Sequence, residues 1–245
     1  SMIRSAEWVV YGKGALFSEK LTQWLWLRIA RKRYAAAQRL LTPGSTTKEE
    51  LIKNQFKNPI AVTPLGVSLE QFQPLPNNQL AQHRESLGLP TDQPIIGYVG
   101  RFGCEKNLTT LIAAHHMILQ KTNAHLVLVG GTRAELSGIN VPENITIVSP
   151  TMSPERYYQA LDIYVLPSLT ESFALGILEA MACGIAPVTT PAGAIPTFIE
   201  SGKNGILFPK ENINALAAAL ETLIADDGKR KKIAAQARET IEQDY

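Results

Sequence analysis

From residue 94 onward, short apolar runs alternate with segments of helical period, and this alternation restricts the fold more than any other feature of the chain. Strands are expected at 94–100, 125–130, 144–148, 163–167, 186–189 and 205–208. Helices are expected at 108–121, 154–161, 175–183, 213–225 and 229–242. Most of the strand segments are apolar runs instead of alternating with polar residues, which suits strands buried on both faces. Parallel strands need crossover connections, and the intervening helices supply them. The expected class is therefore α/β, with a doubly wound, Rossmann-like parallel sheet. In such sheets ligands lie beyond the carboxyl ends of the strands.

The preceding residues read differently. A helix is expected over 21–41 with a tail turning into a strand, then a turn at Thr42-Pro43-Gly44-Ser45, a short helix at 46–54 and a strand at 60–64. The first helix carries Trp24, Trp26 and the basic cluster Arg28, Arg31, Lys32 and Arg33. A core-packing helix with a basic outer face accounts for this ahead of contact with an anionic membrane surface, which stays open. Residues 71–93 contain Pro74, Pro76 and Pro90 and a helix near 80–87, and read as a linker into the second domain.

One run concentrates the chemistry. Pro167-Ser168-Leu169-Thr170-Glu171-Ser172-Phe173-Ala174-Leu175-Gly176-Ile177-Leu178-Glu179 sets two glutamates, with seven residues between them, across a strand-to-helix junction. The helix start presents unpaired N–H groups and the positive end of its dipole to the crevice, a place suited to phosphate. With a rise of about 1.5 Å per residue, Glu179 lies roughly 9 Å down the axis from Phe173, while Glu171 stays at the mouth. That offset accommodates a diphosphate with a sugar at each end. Glu179 can accept from a ribose diol and Glu171 from the hydroxyls of a second sugar, each for about 1.5 to 3 kcal/mol. Arg101 and Lys106 follow another strand and Gly100, so both can aim at the same diphosphate, with Gly100 and Gly103 letting the backbone approach.

These segments resemble the retaining nucleotide-sugar glycosyltransferases of family 4, which have the GT-B fold. The two-glutamate run continuing into Glu179-Ala180-Met181-Ala182-Cys183-Gly184 carries the likeness, with Thr63-Pro64-Leu65-Gly66-Val67…Phe72 and Gly97-Tyr98-Val99-Gly100-Arg101…Lys106-Asn107 ahead of it. The resemblance covers roughly residues 60 to 240. It implies that residues 94–245 form the donor-binding domain without its final crossover helix. Residues 1–66 would be the end of an incomplete, mostly helical N-terminal acceptor domain, and 67–93 the linker. It also implies roles: Arg101, Lys106 and Glu171 catalytic; Gly100, Met152, Phe173, Ala174, Leu175 and Glu179 donor-binding. Phe173, Ala174 and Leu175 would act through backbone N–H groups, with their side chains in the core. Ser149-Pro150-Thr151-Met152 would hold the base, largely by backbone. Two departures stand out: Ala174 where the family usually has glycine or cysteine, and Thr197 where glutamate is usual.

The reaction so implied is transfer of a sugar, with retention, from a UDP- or GDP-linked donor. Arg101, Lys106 and the helix terminus stabilise the departing diphosphate while Glu171 holds the sugar. A phosphate oxygen of the leaving group takes the acceptor's proton. The chain has no Asp-x-Asp motif, which fits a transferase needing no metal and no cofactor beyond its donor substrate. The acceptor, whether saccharide, lipid-linked or small molecule, stays open, as do oligomeric state and the alternatives of a non-catalytic nucleotide-sugar-binding module or a GT-B epimerase or phosphorylase. A chain of this extent is expected to bind donor and to transfer little sugar.

The remaining residues narrow the classes. With 45% apolar and 19% charged residues and a net charge of +2, the chain can build a core and is not a nucleic-acid binder by bulk charge. Cys104 and Cys183 have neither metal spacing nor a disulfide framework, and no apolar stretch approaches the ~20 residues of a membrane span. A cytoplasmic setting is the expectation, with contact at the inner face of a membrane left open. His83, His115, His116 and His125 read as packing or surface residues.

Overall fold

The computed structural model describes residues 19–139, 141–142 and 144–245; residues 1–18, the start of the expected N-terminal segment, lie outside them. The chain divides into two compact units, one reaching to Pro64 and the other running from Leu65 to Tyr245.

In the first unit, helix α1 (Glu19–Tyr34) is followed by strand β1 (Leu40–Thr42), helix α2 (Ser45–Lys53) and strand β2 (Ile60–Val62). The helix expected to reach residue 41 stops at Tyr34, where the Asn58 side chain donates to the carbonyls of Tyr34 and Ala37 at 3.1 and 2.7 Å. The Tyr34 carbonyl also accepts the Ala37 N–H at 3.0 Å, so a turn closes the helix end. β1 and β2 pair in parallel, Leu40 beside Ile60. The expectation of a core-packing first helix is not met. Trp24, Leu25, Trp26 and Ile29 are each about half exposed, and the Arg28 guanidinium lies 5.4 Å from the Trp24 ring. At 100° per residue these apolar side chains point around the helix, and a two-stranded sheet cannot cover them all.

The second unit holds helix α3 (Leu80–Ser86), strand β3 (Ile95–Val99), helix α4 (Leu108–Ile118), strand β4 (His125–Val129), strand β5 (Ile145–Val148), the short helix α5 (Glu155–Tyr158), strand β6 (Ile163–Leu166), helix α6 (Leu175–Ala182), strand β7 (Ala186–Thr189), strand β8 (Ile206–Leu207) and helices α7 (Ile213–Ala225) and α8 (Asp227–Asp244). Every residue of β3, β6 and β7 is buried, so both faces of the sheet are covered. The apolar runs are strands for that reason. The six strands are all parallel in the order β5-β4-β3-β6-β7-β8. Growth from the central β3 thus runs outward through β4 and β5, then restarts on the other side at β6. The strand order reverses between β3 and β6, where Ile96 faces Ile163 and Gly97 faces Tyr164.

The amino ends of those two strands are tied together. Buried Arg84 of α3 reaches Asp162 Oδ2 at 2.7 Å and donates to the carbonyls of Ala160 and Gln93. The same carboxylate oxygen accepts the Ile95 N–H at 2.7 Å, and Arg230 of α8 stands 3.7 Å from its partner oxygen. Residues 65–93 therefore pack on this unit, Phe72 being buried in its core. The last two helices are capped by side chains: Asn212 accepts from Ala215 N and Asp226 from Lys229 N, at 2.9 and 2.8 Å.

Candidate functional site

Two loops leave the carboxyl ends of β3 and β6 at the reversal point, which is where a doubly wound sheet opens a crevice. They are joined to each other. Leu169 N donates to Glu105 O at 2.8 Å and Asn107 Nδ2 to Pro167 O at 3.4 Å. Gly100 N donates to Val129 O, tying the first loop to β4. The loop after β7 braces the second from outside: Thr190 Oγ1 donates to Ser168 O, and Ala194 N to Ser172 O at 3.3 Å. Gly193 passes so close that a Cβ on it would fall 2.0 Å from the Glu171 carbonyl oxygen.

Within this frame Lys106 Nζ meets Glu171 Oε1 at 2.6 Å, and Ser168 Oγ donates to the same oxygen at 2.7 Å. Both charged side chains are largely sheltered, at 18% and 10% exposure, so the pair is held in a partly dehydrated setting where charge-assisted bonds are strongest. Arg101 is different. Its side chain is 89% exposed and 4.0 Å from Glu105, while its carbonyl accepts the Tyr98 hydroxyl at 2.7 Å. The backbone of Arg101 is pinned and its guanidinium extends into solvent.

The junction before α6 also departs from expectation in detail. The helix begins at Leu175 and Ala174 stands before it in the left-handed region, φ 67°, so Phe173 precedes the helix. Glu179 therefore lies about 6 Å, one turn, into the helix instead of roughly 9 Å from a helical Phe173. The N–H groups of Phe173, Ala174 and Leu175 form no hydrogen bond to the described residues and remain as donors at the crevice. Phe173 and Ala174 are buried as expected, Phe173 against the rings of Phe198 and Tyr245 at 5.6 and 6.0 Å. Leu175 is not in the core: it is 43% exposed, because it opens the helix on the crevice side, where nothing among the described residues covers it.

Glu179 is half-buried, and Tyr158 of α5 donates to its Oε2 at 2.8 Å. Burial raises the Glu179 carboxyl above the ordinary carboxylate range, and the Tyr158 hydrogen bond opposes that rise. The neighbouring Tyr164 phenol is pushed up by burial first, then by Tyr98, Glu179 and Glu171, which places both glutamates within electrostatic reach of one buried ring.

The fold thus brings Lys106 and Glu171 into contact, starts the loop that carries Lys106 at Gly100 and puts the 173–175 N–H groups and Glu179 on the junction that follows Glu171. Met152 stands on the loop after β5, 95% exposed. Sequence reading did not single out Ser168, Tyr98, Gly193 or Tyr158 as supports. Only Ser168 carried a signal, lying three residues before Glu171. Three of the histidines make structural hydrogen bonds, His115 Nε2 to Ala124 O, His125 Nε2 to Thr146 Oγ1 and His83 Nε2 to Arg156 O, and His116 is exposed on α4. Among the described residues there is no group of three metal-ligating side chains and no helix long and apolar enough to cross a membrane.

A family described as "Glycosyl transferases group 1" matches residues 80–240 of the chain. A D-inositol 3-phosphate glycosyltransferase of Xylanimonas cellulosilytica is 32% identical over 221 residues, 83% of this chain and 52% of that protein. The chain spans about half the length of the curated relatives it matches. Among solved structures, sucrose-phosphate synthase from Thermosynechococcus elongatus superposes with a TM-score of 0.82 at 27% identity, over 99% of this chain and 61% of that one. Anabaena HepE, solved with UDP-glucose, superposes with a TM-score of 0.82 at 21% identity, over 92% of this chain and 65% of that one.

Proposed function

The chain belongs to the glycosyl transferases group 1 family, and from that membership we propose that its second unit binds a nucleoside diphosphate sugar for retaining transfer of a hexose. The observation that carries this reading is the Lys106–Glu171 pair at the reversal of strand order, facing a helix junction with free N–H groups. A diphosphate lying over that junction meets N–H donors and the helix dipole, with Lys106 and the exposed Arg101 side chain supplied by the adjoining loop. Glu179, one turn in, accepts from the ribose, and Glu171 accepts from the transferred sugar.

The chemistry follows from where charge grows. As the bond from the anomeric carbon to the phosphate oxygen breaks, negative charge builds on the diphosphate; the fixed N–H groups stabilise it without reorganising, and Lys106 adds its charge. Lys106 is bound to Glu171 beforehand, so engaging phosphate draws the lysine toward its second partner while the carboxylate turns to the sugar hydroxyls. The residues present supply positioning and electrostatics, which suffices where the leaving group itself takes the acceptor's proton.

The test is calorimetric titration with UDP, GDP, ADP and their common sugar conjugates, beside the double variant Arg101→Ala and Lys106→Ala. The neighbour solved with UDP-glucose makes that donor the first to try. One diphosphate bound in preference, and lost in the double variant, supports the reading. Equal binding by the variant overturns it.

A further inference from the structure

Tyr158 has a hydroxyl with no access to solvent, as the residue is 1% exposed. Its ring is fixed on two sides, edge-on to Phe72 at 5.9 Å and tilted against Tyr164 at 5.4 Å. Gly176 of α6 leaves the room for this arrangement: a Cβ there would lie 2.5 Å from the Tyr164 hydroxyl and 3.0 Å from that of Tyr158. Out of this packed cluster the hydroxyl donates to Glu179 Oε2, while Oε1 accepts no hydrogen bond from the described residues.

A carboxylate on a flexible stem turns about its last torsion, which is broad and nearly two-fold. A buried donor on one oxygen fixes that rotation and turns the other oxygen, with the spare lone pairs, toward the outside. Two vicinal hydroxyls are best met by a carboxylate held in one plane, and one freed to rotate loses that match.

We propose that Tyr158 is a positioning residue that locks the Glu179 carboxylate for the ribose diol and so sets how strongly the site prefers a ribonucleotide over its 2′-deoxy counterpart. The inference rests on the reading that Glu179 accepts from the ribose. It adds a specificity determinant contributed from a different helix, α5, twenty-one residues earlier in the chain.

The experiment titrates UDP, GDP and ADP, each against its 2′-deoxy form, and reads the ratio of the two dissociation constants for whichever base binds. Wild type, Tyr158→Phe, Glu179→Gln and the double variant are compared. Wild type should prefer the ribonucleotide by about tenfold or more, the effect of one hydrogen bond to a charged group. Glu179→Gln should bring the ratio close to one. Tyr158→Phe should lower it at least threefold, and the double variant should be no worse than Glu179→Gln, the signature of one shared interaction. A wild-type ratio in Tyr158→Phe together with a collapsed ratio in Glu179→Gln overturns the proposal and leaves the ribose reading standing. An unchanged ratio in Glu179→Gln overturns the ribose reading, and the proposal with it. If Tyr158→Phe does not fold, the buried Tyr158 hydroxyl proton is followed by NMR in wild type. It should shift more with the ribonucleotide than with the deoxy form, and equal shifts overturn the proposal.

Discussion

Lys106 Nζ and Glu171 Oε1 stand 2.6 Å apart, although 65 residues separate them in the chain. Each is the other's counter-ion in a sheltered site. Removing one leaves a charge without its partner, so Lys106→Ala should lower stability by about 1 to 3 kcal/mol, and Glu171→Ala added to it should restore part of that loss. Arg101→Ala, by contrast, removes a solvent-facing side chain and should stay within about 0.5 kcal/mol of wild type. Both single variants should weaken diphosphate binding. Chemical denaturation and titration of the same four proteins check the contrast, and equal loss of stability from Arg101→Ala and Lys106→Ala would sink it.

Ala174 adopts a left-handed backbone at the junction that feeds α6. A β-branched residue fits poorly there, so Ala174→Val should cost about 2 kcal/mol or more and weaken donor binding by displacing the 173–175 N–H groups. Glycine at this site relieves about 1 to 2 kcal/mol of backbone strain but gives up a buried methyl worth about 0.8 kcal/mol and adds chain entropy. Ala174→Gly should therefore remain within about 1 kcal/mol of wild type. Thermal melts of the two variants decide.

Gly193 lies against the Glu171 carbonyl oxygen. A methyl there must push the Glu171 loop away, so Gly193→Ala should cost about 2 kcal/mol or more. Because the displaced residue is the one assigned to the transferred sugar, affinity for the nucleotide sugar should fall more than affinity for the bare nucleoside diphosphate. Equal losses for both ligands would argue that the loop acts only on stability.

His115 is fully buried on α4, donating through Nε2 to Ala124 while Nδ1 has no partner among the described residues. Burial lowers its pKa from the ordinary 6.5. With the folded value below the unfolded one, the unfolded chain takes up the proton first, so stability is full above 6.5 and declines as the pH falls toward the folded pKa. His125, also lowered by burial, acts in the same direction, whereas the raised Glu179 carboxyl acts oppositely, favouring the fold as it protonates. The difference between wild type and His115→Gln isolates the first effect. It should grow in favour of the variant between pH 7.5 and 5.5, and a difference independent of pH would refute the assignment.

The sheet was legible because its strands are apolar on both faces. The expected bounds of β7 and α7 match the structure residue for residue, and the other expected strands fall within a residue or two of those found. The two-glutamate run was legible because its spacing is local. What sequence could not show is contact between distant segments: that Lys106 is already engaged by Glu171, or that a tyrosine on α5 holds Glu179. Periodicity also misjudged surroundings. The first helix was expected to pack its Trp24 and Trp26 face, but a side chain is buried only where another element covers it; among the described residues none fully covers Trp24, Trp26 or Leu175.

The Asp162 carboxylate joins α3, the start of β3 and the neighbourhood of α8 at the amino end of the sheet, opposite the end where the loops carry the candidate site. Such a division separates what keeps the unit folded from what it recognises. The donor loops can accumulate substitutions, insertions or a new base preference while the knot at the other end holds the strands in order. For anyone redesigning the recognition loops, Arg84, Asp162 and Arg230 are the residues to leave untouched.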